Sequence, residues 1–427
     1  MNPSVLIIGA GPSGLSALKA LKDAGFENIK AVEKNADVGG LWLGKKKNPL
    51  SPVYDSLNII TSKKLSSFSD FPMPEEWQEY IPHYKVWEYH KNYAEKFNLY
   101  EYIQFNTEVK SVRKIGDKNF ELTYHTGEKE NFNYVIVANG HHFRPNIPEL
   151  PGKFEGEMIH SQQYTNPLAW KDKRVLIVGA GNSGSDIAAD TCKYASLTHM
   201  SLRRGYYIIP KFSFFGKPSD YIYEKLLAWQ PDFIKKKISK FTIKFFVGDE
   251  TKAGMPRPDH EIFETHPLVN SELMYFLKHN RIYIKPPIQK IEGKTIHFSD
   301  GTSQEYDVLV LATGYQISFP FLDEDFVKTF YKEDGMYLYK LIFHPEHDDI
   351  FFVGFIQPDG NIWILTELQS KLIAKKLKGE YQLPANIKQL TAKEVEKRNQ
   401  SYIPTKRHLI EVNLYKYKKE LKKLLKS

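Results

Sequence analysis

The 427-residue chain contains a single cysteine, Cys192. One thiol excludes a disulfide framework, a C-x-x-C redox pair and any thiolate metal cluster built within one chain. No other residue pattern points to a metal. Long hydrophobic runs are also absent, because no stretch approaches the roughly 18 apolar residues that a membrane span needs. The first apolar run begins at Val5, which leaves no room for a secretory or transit leader, so a cytoplasmic protein is expected. Charge of neither sign dominates: 59 Lys and Arg against 51 Asp and Glu leave a net +8, carried by scattered lysines and a lysine-rich C-terminus. Such a balance speaks for solubility and not for a nucleic-acid partner.

What the sequence does have is glycine in a particular order. The run VLIIGAGPSG, Val5 to Gly14, is a short apolar β segment ending in G-x-G-x-x-G and opening into the helical SALKALKDAG. Gly9 permits the tight turn, Gly11 lets backbone approach a pyrophosphate, and Gly14 lets the helix pack close to the strand. The positive end of the helix then faces the phosphates. A second strand ends in Glu33, nineteen residues after Gly14, where a carboxylate can accept hydrogen bonds from ribose hydroxyls.

The same opening recurs at Arg174, where RVLIVGAGNSGSDIAAD repeats the pattern with Gly179, Gly181 and Gly184. Here the second strand, LTHMSLRR, ends in Arg203 and Arg204. Guanidinium groups suit the 2′-phosphate of NADP, which an acid would repel. A carboxylate-selected site and an arginine-selected site, with no redox cysteines, imply FAD in the first and NADPH in the second.

Between and around these turns, Gly39 to Pro74 is a long Gly-, Pro-, Ser- and Lys-rich loop whose aromatics (Trp42, Tyr54, Phe68, Phe71) argue for order. KVWEYHKNYAEKFNL reads as a helix, and IQFNTEVKSV with FELTYHT as a small antiparallel sheet. NYVIVANG is a buried parallel strand, and the three prolines of HHFRPNIPELPGKF make a linker. Residues 206–266 read as an aromatic, basic insertion with helical patches that caps a cleft. KTIHFSDGTSQEY is a hairpin turning at Asp300 and Gly301, and DVLVLATGY is the counterpart of VIVANG. In the C-terminal NLYKYKKELKKLL, Leu414, Tyr417, Leu421 and Leu424 share one helical face, as in a helix docked on its own domain.

The segment FEGEMIHSQQY places Phe154, Gly156, His160 and Tyr164 in the pattern F-x-G-x-x-x-H-x-x-x-[YF], which resembles the identifying sequence of flavin-containing monooxygenases. EKNADVGGLW, FSDFPMP, GNSGSDIA, ATGY and GFIQPDG are similar to the same family in the same order. The resemblance, to class B flavoprotein monooxygenases, implies an α/β fold of two Rossmann-like dinucleotide-binding domains. The NADP domain, 166–295, would be inserted into a discontinuous FAD domain, 1–165 and 296–427.

It further implies an enzyme in which NADPH reduces FAD and a C4a-hydroperoxyflavin passes one oxygen atom from O2 to a soft nucleophile, an amine nitrogen or a sulfide sulfur. By resemblance Pro12, Ser13, Gly40, Leu41, Trp42 and Val109 join Glu33 at FAD, Gln357 and Gln369 line the isoalloxazine, and Asn182, Ser183, Ser185 and Asp186 meet NADP. His160 and Tyr164 hold the inter-domain linker and move no proton. One position departs from the pattern: Ile60 stands where the family usually has an asparagine touching the flavin, with Asn58, Thr61 and Ser62 as the nearest polar groups. That encourages an alternative, an NADPH oxidase that releases H2O2. A Baeyer–Villiger monooxygenase acting on ketones ranks lower, because its related signature ends in Trp where this chain has Tyr164. A flavin-binding regulatory protein without turnover is the non-enzyme reading. A homodimer is compatible with the sequence.

Overall fold

The computed structural model describes residues 3–403, 405 and 408–426. It divides into two compact units, the first formed by residues 1–51, 63–143 and 317–427 and the second by 52–62 and 144–316. Each is an α/β unit built on a five-stranded parallel sheet.

In the first unit the central strand Val5–Ile8 is flanked by Ile29–Val32 and Tyr134–Val137, and the edges are Ile103–Gln104 and Ile350–Phe352. All four residues of Val5–Ile8 are buried, as a strand covered on both faces by helices requires. Helix Pro12–Asp23 follows the glycine turn and packs on helix Trp363–Leu377, where Ser16 and Ser370 meet. The small antiparallel sheet is present as Val109–Gly116, Asn119–Tyr124 and Lys129–Phe132. Ile103–Gln104, expected beside them, instead extends the parallel sheet, because its partner is Ala31–Val32. Phe68 and Phe71 order the long loop by packing on Tyr89 and Tyr93 of helix His83–Lys96. The C-terminal helix Leu414–Leu424 docks on this unit, with Leu414, Tyr417 and Leu421 buried.

The second unit repeats the plan. Its central strand Arg174–Val178 lies between Leu197–Ser201 and Val308–Leu311, with Tyr283–Lys285 and Glu157–His160 at the edges. Two pairings move its boundaries outward from the expected 166 and 295. Glu157–His160 runs parallel to Val308–Leu311, and Arg144–Pro145 pairs with Tyr315–Gln316. Of the segment expected to be a linker, 141–154, Arg144–Pro145 forms a separate two-stranded ladder in this unit, and the strand just after the segment, Glu157–His160, joins the five-stranded sheet. The hairpin Thr295–Phe298 and Ser303–Glu305 also falls in this unit, with Gly301 at φ +82° in its turn. The insertion folds as helices Ser219–Leu226 and Asp232–Phe246.

Candidate functional site

The two glycine turns have the same geometry. Gly9 has φ +106° and a Cβ there would lie 2.7 Å from the Ala138 carbonyl oxygen; at Gly179, with φ +103°, it would lie 2.6 Å from that of Ala312. A Cβ at Gly14 would sit 1.8 Å from the Gly9 oxygen, and one at Gly184 2.3 Å from the Gly179 oxygen. These four glycines are dictated by the chain's own packing. Gly11 differs, since the nearest atom to a Cβ there is Gly40 Cα at 3.6 Å, an ordinary contact. Gly11 and Gly181 are the N-caps of their helices, and neither helix has a side-chain cap or an acid in its first turn. Both helix ends therefore present backbone N–H groups and the positive dipole end, a ready cradle for phosphate.

Around the first cradle, Glu33 is buried. Its Oε2 accepts the Ala10 N–H at 2.8 Å, and its Oε1 accepts the Asn35 N–H at 3.0 Å and Nδ2 at 2.6 Å. Three donors fix the carboxylate at the strand end, and a carboxylate has roughly four acceptor sites, so capacity remains for a hydroxyl. The 3₁₀ turn Gly40–Leu43 lies against Gly11 and is held by Asn48 Nδ2 on the Gly40 carbonyl at 3.0 Å and Ser51 Oγ on that of Leu41 at 2.5 Å. Leu41, Trp42 and Val109 are half-buried. Pro12 is the first helical residue, and Ser13 packs under Gly354, where a Cβ would come within 2.1 Å of Ser13 Oγ. Gln357 is half-buried and its N–H donates to the Ile410 carbonyl. Gln369 is fully buried, with Oε1 accepting the Gly354 N–H at 3.0 Å and Nε2 donating to Tyr417 Oη at 2.8 Å. Its amide ties the chain together and presents no free group to a ligand.

In the second unit Ser183 is half-buried at the helix N-terminus and Ser185 is fully buried. The Asn182 amide is spent on the chain, accepting from Val269 N–H at 2.8 Å and donating to the Pro267 carbonyl at 3.3 Å. Asp186 accepts Tyr54 O–H at 2.7 Å and Asn270 Nδ2 at 2.6 Å; burial lifts its carboxyl above the ordinary value against the pull of these bonds. Asp190, one turn on, accepts Tyr164 O–H at 2.7 Å and Ser56 Oγ at 3.0 Å. The two carboxylates thus hold the segment 52–62. The role of Tyr54, Asp190 and Asn270 escaped the sequence reading, although the i, i+4 spacing of Asp186 and Asp190 placed both on one helix face.

That segment carries the three catalytic candidates. Ile60 and Asn58 are half-buried, and Asn58 Nδ2 donates to the Ser56 carbonyl at 3.2 Å. Ser62 is fully buried and its N–H donates to Asp220 Oδ2 at 2.6 Å. At the end of strand Leu197–Ser201, Arg203 is exposed with no ion pair among the described residues, whereas Arg204 lies 3.9 Å from Asp259.

The signature residues are structural. A Cβ at Gly156 would collide with the Phe154 ring at 2.6 Å and the Asp307 carbonyl at 2.7 Å. Buried His160 accepts the Gln162 N–H on Nδ1 at 3.1 Å and donates from Nε2 to the Gly314 carbonyl at 3.0 Å, and burial lowers its pKa. Both ring nitrogens are occupied, which leaves it neutral and unavailable for proton transfer. Tyr164 packs on Trp170 and Tyr54.

The model of the Flavin-binding monooxygenase-like family matches residues 2–427. The chain belongs to that family. Dimethylaniline monooxygenase [N-oxide-forming] 2 of Oryctolagus cuniculus is 34% identical over 94% of this chain and 78% of its own length. Human flavin-containing monooxygenase 2 is 34% identical over 90% of this chain and 75% of its own. Among solved structures, S-allyl-L-cysteine S-oxygenase from Allium sativum superposes with a TM-score of 0.73 at 23% identity, covering 100% of this chain and 89% of that one. Cyclohexanone monooxygenase from Rhodococcus sp. Phi1 bound to NADP+ gives 0.74 at 18% identity, covering 99% and 97%. This member is therefore an FAD- and NADPH-dependent flavin monooxygenase, and the two uncapped cradles fit two dinucleotides.

Proposed function

We propose that the chain oxygenates soft nucleophiles, tertiary amines and thioethers, with FAD in the first unit and NADPH in the second. The observation that carries the assignment of sites is the repeated glycine turn with unlike companions, buried Glu33 in one copy and exposed Arg203 in the other. The chemistry supplied by bound FAD is hydride acceptance from NADPH and activation of O2, from which one oxygen atom goes to substrate and the other to water. The chain's own part is binding and orientation. The helix end at Gly11 receives the FAD pyrophosphate, Glu33 the adenosine ribose, and Gly40, Leu41, Trp42 and Val109 the surrounding contacts. The helix end at Gly181 and Ser183 receives the NADP pyrophosphate, and Arg203 its 2′-phosphate. Asp186 and Asp190 act through Tyr54 and Ser56 to position the segment that bears Asn58 and Ile60.

No helix among the described residues is long and apolar enough to cross a membrane. We place the enzyme in the cytoplasm, whose reducing conditions suit the lone, buried Cys192. The relatives named as N-oxide-forming support the amine class, and the thioether class is the same soft-nucleophile chemistry. The test is turnover of the flavin-loaded protein with NADPH, ¹⁸O2, and a tertiary amine or a dialkyl sulfide. One ¹⁸O atom in an N-oxide or sulfoxide is the expected result. NADPH consumption that yields only H2O2 would make it an oxidase, and conversion of a ketone to an ester would make it a Baeyer–Villiger enzyme.

A further inference from the structure

The C-terminal helix Leu414–Leu424 reaches the phosphate cradle of the first unit through a chain of buried polar groups. Gly354 follows strand Ile350–Phe352 at φ +83°, and a Cβ there would collide with Ser13 Oγ in the first turn of helix Pro12–Asp23. Its N–H is held by Gln369 Oε1 at 3.0 Å, and Gln369 Nε2 donates to Tyr417 Oη at 2.8 Å. Tyr417 in turn donates its hydroxyl proton to the Lys340 carbonyl, and burial raises the phenol well above its ordinary value, so that donor is always present. These partners fix the direction of the Gln369 amide. Turned over, it would set its NH2 group against the Gly354 N–H and its carbonyl against a hydroxyl whose proton is committed elsewhere. Gln369 is fully buried, so either bond, once lost, leaves a buried group without its partner.

The turn that receives the Tyr417 hydroxyl is strained. Lys340 and Leu341 both have φ +53°, a left-handed conformation that non-glycine residues seldom adopt and that persists only where the surroundings over-determine it. Every polar group of Lys340 is held: the carbonyl by Tyr417, the N–H by Glu394 at 3.0 Å, and the ammonium by Glu394 at 2.6 Å and Glu420 at 2.8 Å. Glu420 lies one turn along the same helix as Tyr417. The loop after Gly354 is gripped by the same C-terminal segment, since Gln357–Pro358 pairs with Glu411–Val412 and Asp359 accepts the Leu414 N–H at 2.7 Å. We propose that Tyr417 is a positioning residue for flavin binding, which acts through Gln369 to keep Gly354 seated against Ser13. The inference rests on the assignment of the FAD pyrophosphate to the helix end at Gly11. Ser13 is the second residue of that helix, so its N–H is among those left for the phosphates. When the seat is loosened, only a fraction of the apo molecules presents the cradle, and the dissociation constant for FAD rises by the reciprocal of that fraction.

The test is titration of the full chain, stripped of flavin, with FAD, read by the quenching of flavin fluorescence. Tyr417→Phe, which removes one oxygen and keeps the ring, raises the dissociation constant about tenfold. Gln369→Leu raises it at least as far, and the double variant binds no worse than Gln369→Leu alone, because the two side chains act as one unit. Leu421→Ala strips a buried packing contact from the same helix. It lowers the melting temperature more than Tyr417→Phe does, yet leaves FAD affinity within about twofold of native. Unchanged affinity in Tyr417→Phe overturns the proposal, as do losses that add in the double variant or a loss in Leu421→Ala as large as in Tyr417→Phe. Gly11→Ala tells this failure from failure of the site assignment. If it weakens FAD while Tyr417→Phe does not, only the role of Tyr417 falls; if it leaves FAD binding intact, the assignment falls and the role of Tyr417 with it.

Discussion

Gly11 is a glycine that the fold itself does not require. Its neighbours Gly9 and Gly14 face carbonyl oxygens within 2.7 Å of a Cβ position, but at Gly11 an added methyl would meet nothing closer than 3.6 Å. On the proposed assignment the pressure on Gly11 comes from the dinucleotide phosphates. Gly11→Ala should fold with an unchanged far-UV spectrum and melting curve in its apo form, yet purify with a much reduced flavin absorbance; full flavin content would contradict the cradle. Arg203 makes a parallel case, being exposed with no ion pair among the described residues. Arg203→Ala should weaken NADPH by about 1.5–3 kcal/mol, roughly ten- to a hundred-fold, and leave NADH nearly unchanged. Equal losses for the two coenzymes would remove Arg203 from the phosphate. If Ile60 replaces the family's asparagine, a lost hydrogen bond of about 1–2 kcal/mol would correspond to a roughly five- to thirty-fold faster release of H2O2. Ile60→Asn should raise the ratio of oxygenated product to NADPH consumed, measured together with peroxide. An unchanged ratio would pass the role to another polar group of the segment, Asn58 or Ser62.

At the scale of elements, what was legible was what is local. The glycine turns, the hairpin at Gly301 and the two insertion helices are fixed by spacing within a dozen residues. The place of Glu157–His160 in the sheet was not legible, because its partner, Val308–Leu311, lies about 150 residues on and its own residues are only partly buried. The roles of Asp186 and Asp190 were hidden for the same reason, since Tyr54 and Ser56 approach from more than a hundred residues away. Helix His83–Lys96 shows another feature that only packing reveals. Its His90 is fully buried against Phe68, Tyr89 and Trp363, with ring centroids 6.3, 5.6 and 4.5 Å away. Burial lowers its pKa to about 3. An unfolded histidine titrates near ~6.5. Between these values the unfolded state binds the extra proton, so the contribution is intact above about pH 6.5 and is lost as pH falls toward 3. The slope approaches about 1.4 kcal/mol per pH unit. Urea midpoints at several pH values between neutral and acid should fall less steeply for His90→Leu than for the native chain, on top of a constant offset from the lost ring contacts. Parallel curves would show that His90 is protonated in the fold.

For the whole molecule, the instructive fact is that one plan is used twice with one change at each site. Both units put a glycine turn against the backbone of a following strand end, Ala138 in one and Ala312 in the other, and both leave a helix N-terminus uncapped. On the proposed assignment the cradles alone do not discriminate between cofactors, and the strand ends, Glu33 and Arg203, do. Each dinucleotide should therefore leave a local mark on the unit that holds it, which hydrogen exchange can read. A ligand at 100 times its dissociation constant stabilises the state that binds it by about 2.7 kcal/mol, so amides that open only when it leaves exchange about a hundredfold more slowly. Adding NADP+ to the FAD-loaded enzyme should slow exchange across 179–186 and leave 9–15 as it was, whereas stripping FAD should speed exchange across 9–15. Protection by NADP+ at 9–15 in place of 179–186 would exchange the two assignments, and with them the roles of Glu33 and Arg203.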